Sequence, residues 1–86
     1  MIKTLKVKIK EPQKKFISIH TEFIKLDAAM KLGDAVGSGG LAKKIIEDGC
    51  VKVNGEICTV KGKKLVPGDS FLFDNILYII KSQNDN

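Results

Sequence analysis

Residues 38–55 read SGGLAKKIIEDGCVKVNG and contain the clearest signals for local structure in the chain. The first half of this stretch predicts a helix that Ser38 caps and that runs to about Asp48, where Gly49 stops it. The Asn-Gly pair at residues 54–55 is typical of a tight turn between two strands, predicted at residues 50–53 and 57–60. The helical spacing of the apolar residues predicts four that face inward: Leu41, Ala42, Ile45 and Ile46.

On the N-terminal side, a shorter helix is predicted over residues 28–32, with Asp27 as its cap and Gly33 at its C-terminus. Extended runs precede this helix, at residues 16–19 and 23–24. A further strand, with lysines on its other side, is predicted from the alternating residues Leu5, Val7 and Ile9.

On the C-terminal side, a glycine-lysine loop and a Pro-Gly turn precede two more strands, predicted over residues 71–73 and 77–80. The chain has 86 residues, enough for one compact core. We predict one α+β domain in which two short helices pack on a small antiparallel sheet. Its expected parts are a basic N-terminal extension with one strand (1–15), the folded domain (16–81) and a polar tail (82–86).

The two cysteines have no metal-binding spacing with each other or with the single histidine, so we predict no metal site. If Val51 and Ile57 both face the core, the turn needs three residues, and Cys50 lies opposite Cys58. A cross-strand disulfide is then geometrically conceivable. A reducing cytoplasm favours two free thiols instead.

The charge distribution favours a polyanionic partner. The formal net charge is +5, and residues 1–15 alone carry six lysines against Glu11. All fifteen basic residues are lysine, which offers point charges to phosphates but lacks the planar fork with which arginine reads guanine. Because the few aromatic residues lie mostly in apolar runs typical of a core, we expect recognition of backbone and shape.

The helix start offers a place for a phosphate. Residues 37–42, GSGGLA, fit the dinucleotide pattern GxGxxA, but they follow a helix and the chain has no room for repeated βαβ units, so we predict no nucleotide cofactor. The amides of Gly39, Gly40 and Leu41 are expected to be open to an anion beside Ser38. Lys43 and Lys44 lie toward the positive end of the predicted helix, an unfavourable placement that is more common at functional sites. The alternative is an ordinary serine cap with glycines that only permit a tight turn.

Several classes of function are disfavoured. His20 has no adjacent nucleophile, Ser38 has no partner base and no buried carboxylate pair is indicated, so we predict no enzyme. The chain has no apolar run of about eighteen residues, and its first ten residues alternate instead of forming a signal core. We therefore expect a cytoplasmic protein with no membrane partner.

Residues 38–55, together with T-x-K-x-x-K-L-V-x-G-D at residues 59–69, resemble the S-four-type RNA-binding domain, also called the alpha-L RNA-binding motif. The likeness covers about residues 16–80 and is greatest to short stand-alone bacterial members of the YaaA and YbcJ type. It implies a helix pair and a hairpin that form a basic RNA-facing surface, in proteins linked to ribosomes, RNA modification or translation. Such proteins carry basic residues where this chain has Lys43, Lys52, Lys61 and Lys64.

We therefore predict a non-catalytic protein that binds structured RNA, ribosomal RNA or a ribosomal particle above all. One alternative is an adaptor that docks on ribosomes or proteins mainly through protein contacts. Another is a DNA-binding helix-turn-helix, which is disfavoured because the second helix offers two lysines and two acids, a poor set for a major groove. The predicted RNA-binding residues are Ser38, Gly39, Gly40, Lys43, Lys44, Lys52, Lys61, Lys63 and Lys64.

Overall fold

The computed structural model describes residues 12–83, which form two helices and seven strands. The predicted strand at residues 5–9 and the end of the predicted tail lie outside the described residues. In chain order the elements are β1 Gln13–Ile19, β2 Ile24–Lys25, α1 Leu26–Leu32, α2 Gly39–Glu47, β3 Lys52–Val53, β4 Glu56–Ile57, β5 Lys64–Leu65, β6 Ser70–Phe73 and β7 Ile76–Ser82.

Five strands form the main sheet in the order β1-β7-β6-β3-β4. β1 runs parallel to β7, whereas the other neighbours are antiparallel. The predicted α+β class, with two helices on a small sheet, is confirmed, but the expectation of a purely antiparallel sheet is wrong for β1. Hydrophobic alternation indicates which residues share a face of a strand and contains no information about the direction of its neighbour.

A second, two-stranded sheet joins β2 to β5 in antiparallel fashion, with Ile24 opposite Leu65. Sequence patterning predicted a loop where β5 lies, because two residues are too few to show a strand period. Leu65 is fully buried, so this short pairing fastens the glycine-lysine segment to the start of α1.

The core lies between the helix pair and one face of the main sheet. Alternate strand residues point into it, among them Ile17, Phe71 and Tyr78, and the Phe71 and Tyr78 rings stack with centroids 4.7 Å apart. From α2, Ala42 and Ile46 are buried as predicted, and Ile45 is half-buried. Leu41 was expected to face inward but is 48% exposed, because it lies in the first turn.

The helix ends follow the predictions with one exception. Ser38 caps α2, and Gly49 follows it with a left-handed φ of 81°. Asp27 is not the cap of α1, because the helix begins at Leu26, two residues before the predicted start, and Lys25 occupies the cap position. The Asp27 carboxylate instead accepts a hydrogen bond from the Ala28 N–H at 2.8 Å.

The β3–β4 hairpin closes with a two-residue turn. Asn54 and Gly55 have φ values of 50° and 89°, and Lys52 pairs with Ile57. The expected three-residue turn is therefore wrong, and Ile57 faces away from the core. Cys58 donates its N–H to the Val51 carbonyl, so Cys50 does not lie opposite Cys58, and both thiols are free.

Candidate nucleic-acid interface

Helix α2 begins with an open, capped N-terminus. Ser38 has extended backbone angles, and its Oγ accepts the Leu41 N–H at 3.2 Å, so the expectation of a free amide at Leu41 is wrong. Gly39 and Gly40 occupy the first helical positions, where a methyl group on either would meet no heavy atom within 4 Å. Neither packing nor a positive φ requires glycine here, and the first amides of a helix have no acceptor within it. The chain thus presents accessible donors to an anion.

Two lysines follow on the exposed side of α2. Because the helix ends at Glu47, Lys44 lies in its last turn, where positive charge is favourable, so the expected unfavourable placement is wrong for Lys44. Its Nζ lies 3.8 Å from the Asp48 carboxylate, an exposed pair that contributes little to stability. Lys43 is also exposed, and it lies one residue nearer the start of the helix than Lys44.

A second basic group surrounds the start of α1. The carbonyls of Lys61 and Lys63 accept hydrogen bonds from the first two amides of this helix, at 3.1 and 2.8 Å. The pairing of β2 with β5 places Lys25 opposite Lys64. These backbone contacts gather four exposed lysines, which we call the α1 lysine cluster: Lys25, Lys61, Lys63 and Lys64.

The cluster holds its positive charges without neutralising them. Lys25 and Lys64 are direct cross-strand partners, an arrangement that destabilises a sheet when the charges are alike. The Lys64 ammonium lies 4.8 Å from the centre of the exposed Phe23 ring. Across residues 12–83, the Lys44 pair is the single salt bridge within 4.0 Å, so no carboxylate pairs with the cluster at that distance.

The structure separates the predicted RNA-binding residues into groups. Five lie along α2, and Lys61, Lys63 and Lys64 join the α1 lysine cluster. Lys52 lies apart from both groups. Val53, the next residue of β3, is buried, so the Lys52 side chain is on the opposite face of the main sheet. Sequence reasoning missed Lys25, whose position depends on a strand pairing that its own neighbours do not reveal.

Side-chain hydrogen bonds fasten the hairpin to the turn after β5. Asn54 Nδ2 donates to Asp69 Oδ1 at 3.2 Å, and Asn54 Oδ1 accepts the Ser70 N–H at 3.1 Å. Asp69 Oδ2 accepts the Val66 N–H at 2.9 Å. These bonds, the Asn54–Asp69 clamp, fix the hairpin relative to the segment that carries Lys64. An open groove of about 490 Å³ beside the hairpin reaches Lys63.

Metal-ligand clusters and membrane-spanning helices are both absent from the described part of the chain. Residues 12–83 contain no cluster of three or more histidine, cysteine or acidic side chains that could hold a metal ion. Over the same residues, neither helix has the length and apolar character needed to cross a membrane.

The fold and this basic surface correspond to a known class. The family described as the S4 domain matches residues 17–81, from β1 to β7. The chain therefore belongs to the S4 domain family, which confirms the resemblance drawn from its sequence. It is also 45% identical, over 53 residues, to a Bacillus subtilis (strain 168) protein described as "Probable ribosome maturation protein RlbA". That match covers 62% of this chain and 75% of the relative.

Proposed function

We propose that this protein is a non-catalytic, cytoplasmic RNA-binding protein that recognises structured RNA, and ribosomal RNA in particular. Membership of the S4 domain family supports RNA binding. The ribosome maturation role in the relative's name supports a ribosomal RNA. The observation that carries the proposal is the α1 lysine cluster, because opposing Lys25 to Lys64 has an electrostatic cost that a bound polyanion would offset.

The two basic groups supply different contacts in this proposal. The start of α2 offers directional N–H donors to one phosphate, and Lys43 adds an ammonium group on the exposed side of the helix. Lys44, in the last turn beside Asp48, adds positive charge farther along the helix. The α1 lysine cluster contacts further phosphates along the RNA strand. Lysine contacts of this kind select the spacing of phosphates in a folded RNA instead of base identity.

Titration of a structured ribosomal RNA fragment at several salt concentrations tests the proposal. We expect tighter binding to this RNA than to duplex DNA of equal length. If about five phosphates are contacted, log affinity should fall against log salt with a slope of roughly −3.5 to −4.5. Equal affinity for both nucleic acids, or a slope near zero, would contradict RNA recognition and favour an adaptor that binds mainly protein.

A charge-matched pair of variants locates the contact surface. Replacing Lys25 and Lys64 with glutamine should weaken binding and reduce the magnitude of the salt slope by about one to two units. Replacing Lys14 and Lys81 with glutamine removes the same net charge from the far side of the sheet and should leave the slope unchanged. The proposed surface is wrong if both variants lose the same affinity.

Binding by the single variant Lys52→Gln shows how far the RNA extends. The Lys52 side chain lies outside both basic groups, although the sequence predicted an RNA contact there. A loss of affinity as large as for Lys43→Gln would extend the interface around the edge of the sheet. Unchanged affinity would confine it to the helix side.

A further inference from the structure

One face of the main sheet is uncovered in the described part of the chain. The helices cover the face that carries Ile17, Phe71 and Tyr78, and the alternate residues point the other way. Strand register arranges these outward residues in three rows: Lys14–Leu77–Leu72–Lys52–Ile57, Phe16–Ile79–Ser70, and Ser18–Lys81. We call this surface the open sheet face.

The centre of the open sheet face is apolar. Phe16 and Ile57 are each 63% exposed, and Leu72, Leu77 and Ile79 are half-buried between them. A sheet that faces only water normally carries polar residues at such positions. Continuous apolar surface bordered by polar residues marks an interaction site in soluble proteins. Half of the ten outward positions are apolar here, and four of these five residues adjoin one another on β1, β7 and β6.

The charged residues of the open sheet face are all positive. Lys14 and Lys81 border the apolar centre, and Lys52 lies between Leu72 and Ile57 on the edge strand β4. The ten outward positions include no acidic residue. The Lys81 ammonium lies 5.4 Å from the centre of the Phe16 ring, so one of these charges sits directly beside exposed apolar surface. The face therefore combines an aliphatic surface with a positive border.

We propose that the open sheet face docks a protein segment that presents aliphatic side chains flanked by aspartate or glutamate. The aliphatic side chains would cover Leu72, Leu77 and Ile79, and the carboxylates would lie near Lys14 and Lys81. Complementary charge at the rim orients the bound segment and raises its association rate, while the apolar centre supplies most of the binding free energy. This proposal is independent of RNA binding on the helix side and would let the protein join an RNA to a protein partner.

Charge and composition disfavour other occupants. A second copy bound through the same face would bring each lysine border against an equally positive one. The N-terminal extension carries Lys3, Lys6, Lys8 and Lys10 against Glu11, and is disfavoured for the same reason. Single-stranded RNA requires stacking surfaces for its bases, and Phe16 is the one aromatic residue among the ten outward positions.

Amide chemical shifts of the full chain test the proposal with a defined probe. The probe is an amphipathic peptide of about twenty residues with leucine at i, i+3, i+4 and i+7, and with glutamate and alanine sharing the remaining positions so that like-charge repulsion does not unfold the helix. It should bind with micromolar affinity and shift the amides of β1, β6 and β7. A matched peptide with lysine in place of glutamate should bind at least about tenfold more weakly. Chemical-shift changes confined to α1 and β5 would mean that the probe binds only the α1 lysine cluster, and would overturn the proposal.

Variants on exposed residues separate docking from folding. Phe16→Thr with Ile57→Thr retains β-forming side chains and should weaken the glutamate peptide about tenfold without changing RNA affinity. Leu32→Ala, at a 59% exposed leucine on α1, is the control and should change neither. Unchanged peptide affinity in the double variant would overturn the proposal.

Three further measurements address the competing occupants. A dimer that Phe16→Thr dissociates in sedimentation experiments would assign the face to a second copy. Shifts of the outward amides in a full-length Val7→Ser variant would assign it to the N-terminal extension. Binding of oligouridylate that weakens in Phe16→Thr would assign it to RNA. Each of these results overturns docking of an acidic protein segment.

Discussion

Gly39 and Gly40 occupy positions where the fold itself would accept a side chain. Their backbones belong to a helix, their φ values are not positive, and a methyl group on either would meet no atom within 4 Å apart from the local helix backbone. Glycine is among the poorest helix formers, so two in succession at a helix start lower its stability. Access to the backbone amides is the physical benefit that glycine brings here.

The variant Gly40→Ala should therefore separate stability from RNA affinity. Thermal unfolding should show unchanged or increased stability, by up to about 1 kcal/mol, because alanine favours the helix. RNA titration should show weaker binding, because the methyl group crowds the amides without changing any charge. Gly37→Ala, just outside the helix, adds the same methyl group and should bind RNA normally. Normal binding by Gly40→Ala would place the phosphate contacts elsewhere.

Individual residues were predictable from sequence where their role is local. Ser38 and Gly49 act through neighbours within a few positions, so their types alone indicated the cap and the stop. Lys25 and Phe23 take part in the basic surface only because β2 pairs with β5, a contact between distant parts of the chain. Phe16 shows the same limit, since an apolar residue does not reveal whether its side of a sheet is covered.

Among the elements, the β3–β4 hairpin is held in place by the Asn54–Asp69 clamp. Asn54→Ala removes two side-chain hydrogen bonds and places alanine at a φ of 50°. We expect a loss of about 1–3 kcal/mol in the free energy of unfolding, measured by urea denaturation. Asn54→Gly tolerates the positive φ and loses only the hydrogen bonds. Its free energy of unfolding should therefore lie between those of Asn54→Ala and the natural protein. Equal stability of all three would show that the clamp does not stabilise the fold.

The end of helix α1 depends on close packing. Gly33 closes the helix as predicted, but its φ of −80° is ordinary, so conformational freedom is not the reason for glycine. A methyl group there would lie 2.7 Å from Ile17 Cδ1 and 3.2 Å from Tyr78 Cδ2. Gly33→Ala should destabilise the protein by about 1–3 kcal/mol in urea denaturation. Gly37→Ala, which meets no atom within 4 Å, should change stability by less than about 1 kcal/mol.

The stacked Phe71–Tyr78 pair lies in the core that all the main elements share, so its tyrosine can be used to follow folding of the entire domain. Tyr78 is the single tyrosine of the chain, and there is no tryptophan. Burial, followed by the negative charges of Asp74 and Asp34, raises the pKa of Tyr78 above its ordinary value of 10.0. The neutral phenol is therefore favoured in the folded state. Its contribution to stability is complete below about pH 10 and is lost as pH rises through the folded-state pKa.

Ultraviolet titration of the phenol tests this linkage. The native protein should ionise at higher pH than the chain in denaturant, and Tyr78→Phe should reduce the loss of stability at alkaline pH. Because no other tyrosine or tryptophan contributes, the signal belongs to one side chain. The same midpoint in native and denatured samples would contradict a buried, desolvated phenol.

The pairing of β1 with β7 has a consequence for synthesis of the protein. β1, the first strand of the described chain, can form its hydrogen bonds only when β7, from Ile76 to Ser82, is available. Every residue of the proposed RNA surface lies between them. During translation β1 stays unpaired until β7 has been synthesised, since pairings distant in sequence form late. We expect a nascent chain to acquire its RNA-binding shape only after β7 has left the exit tunnel.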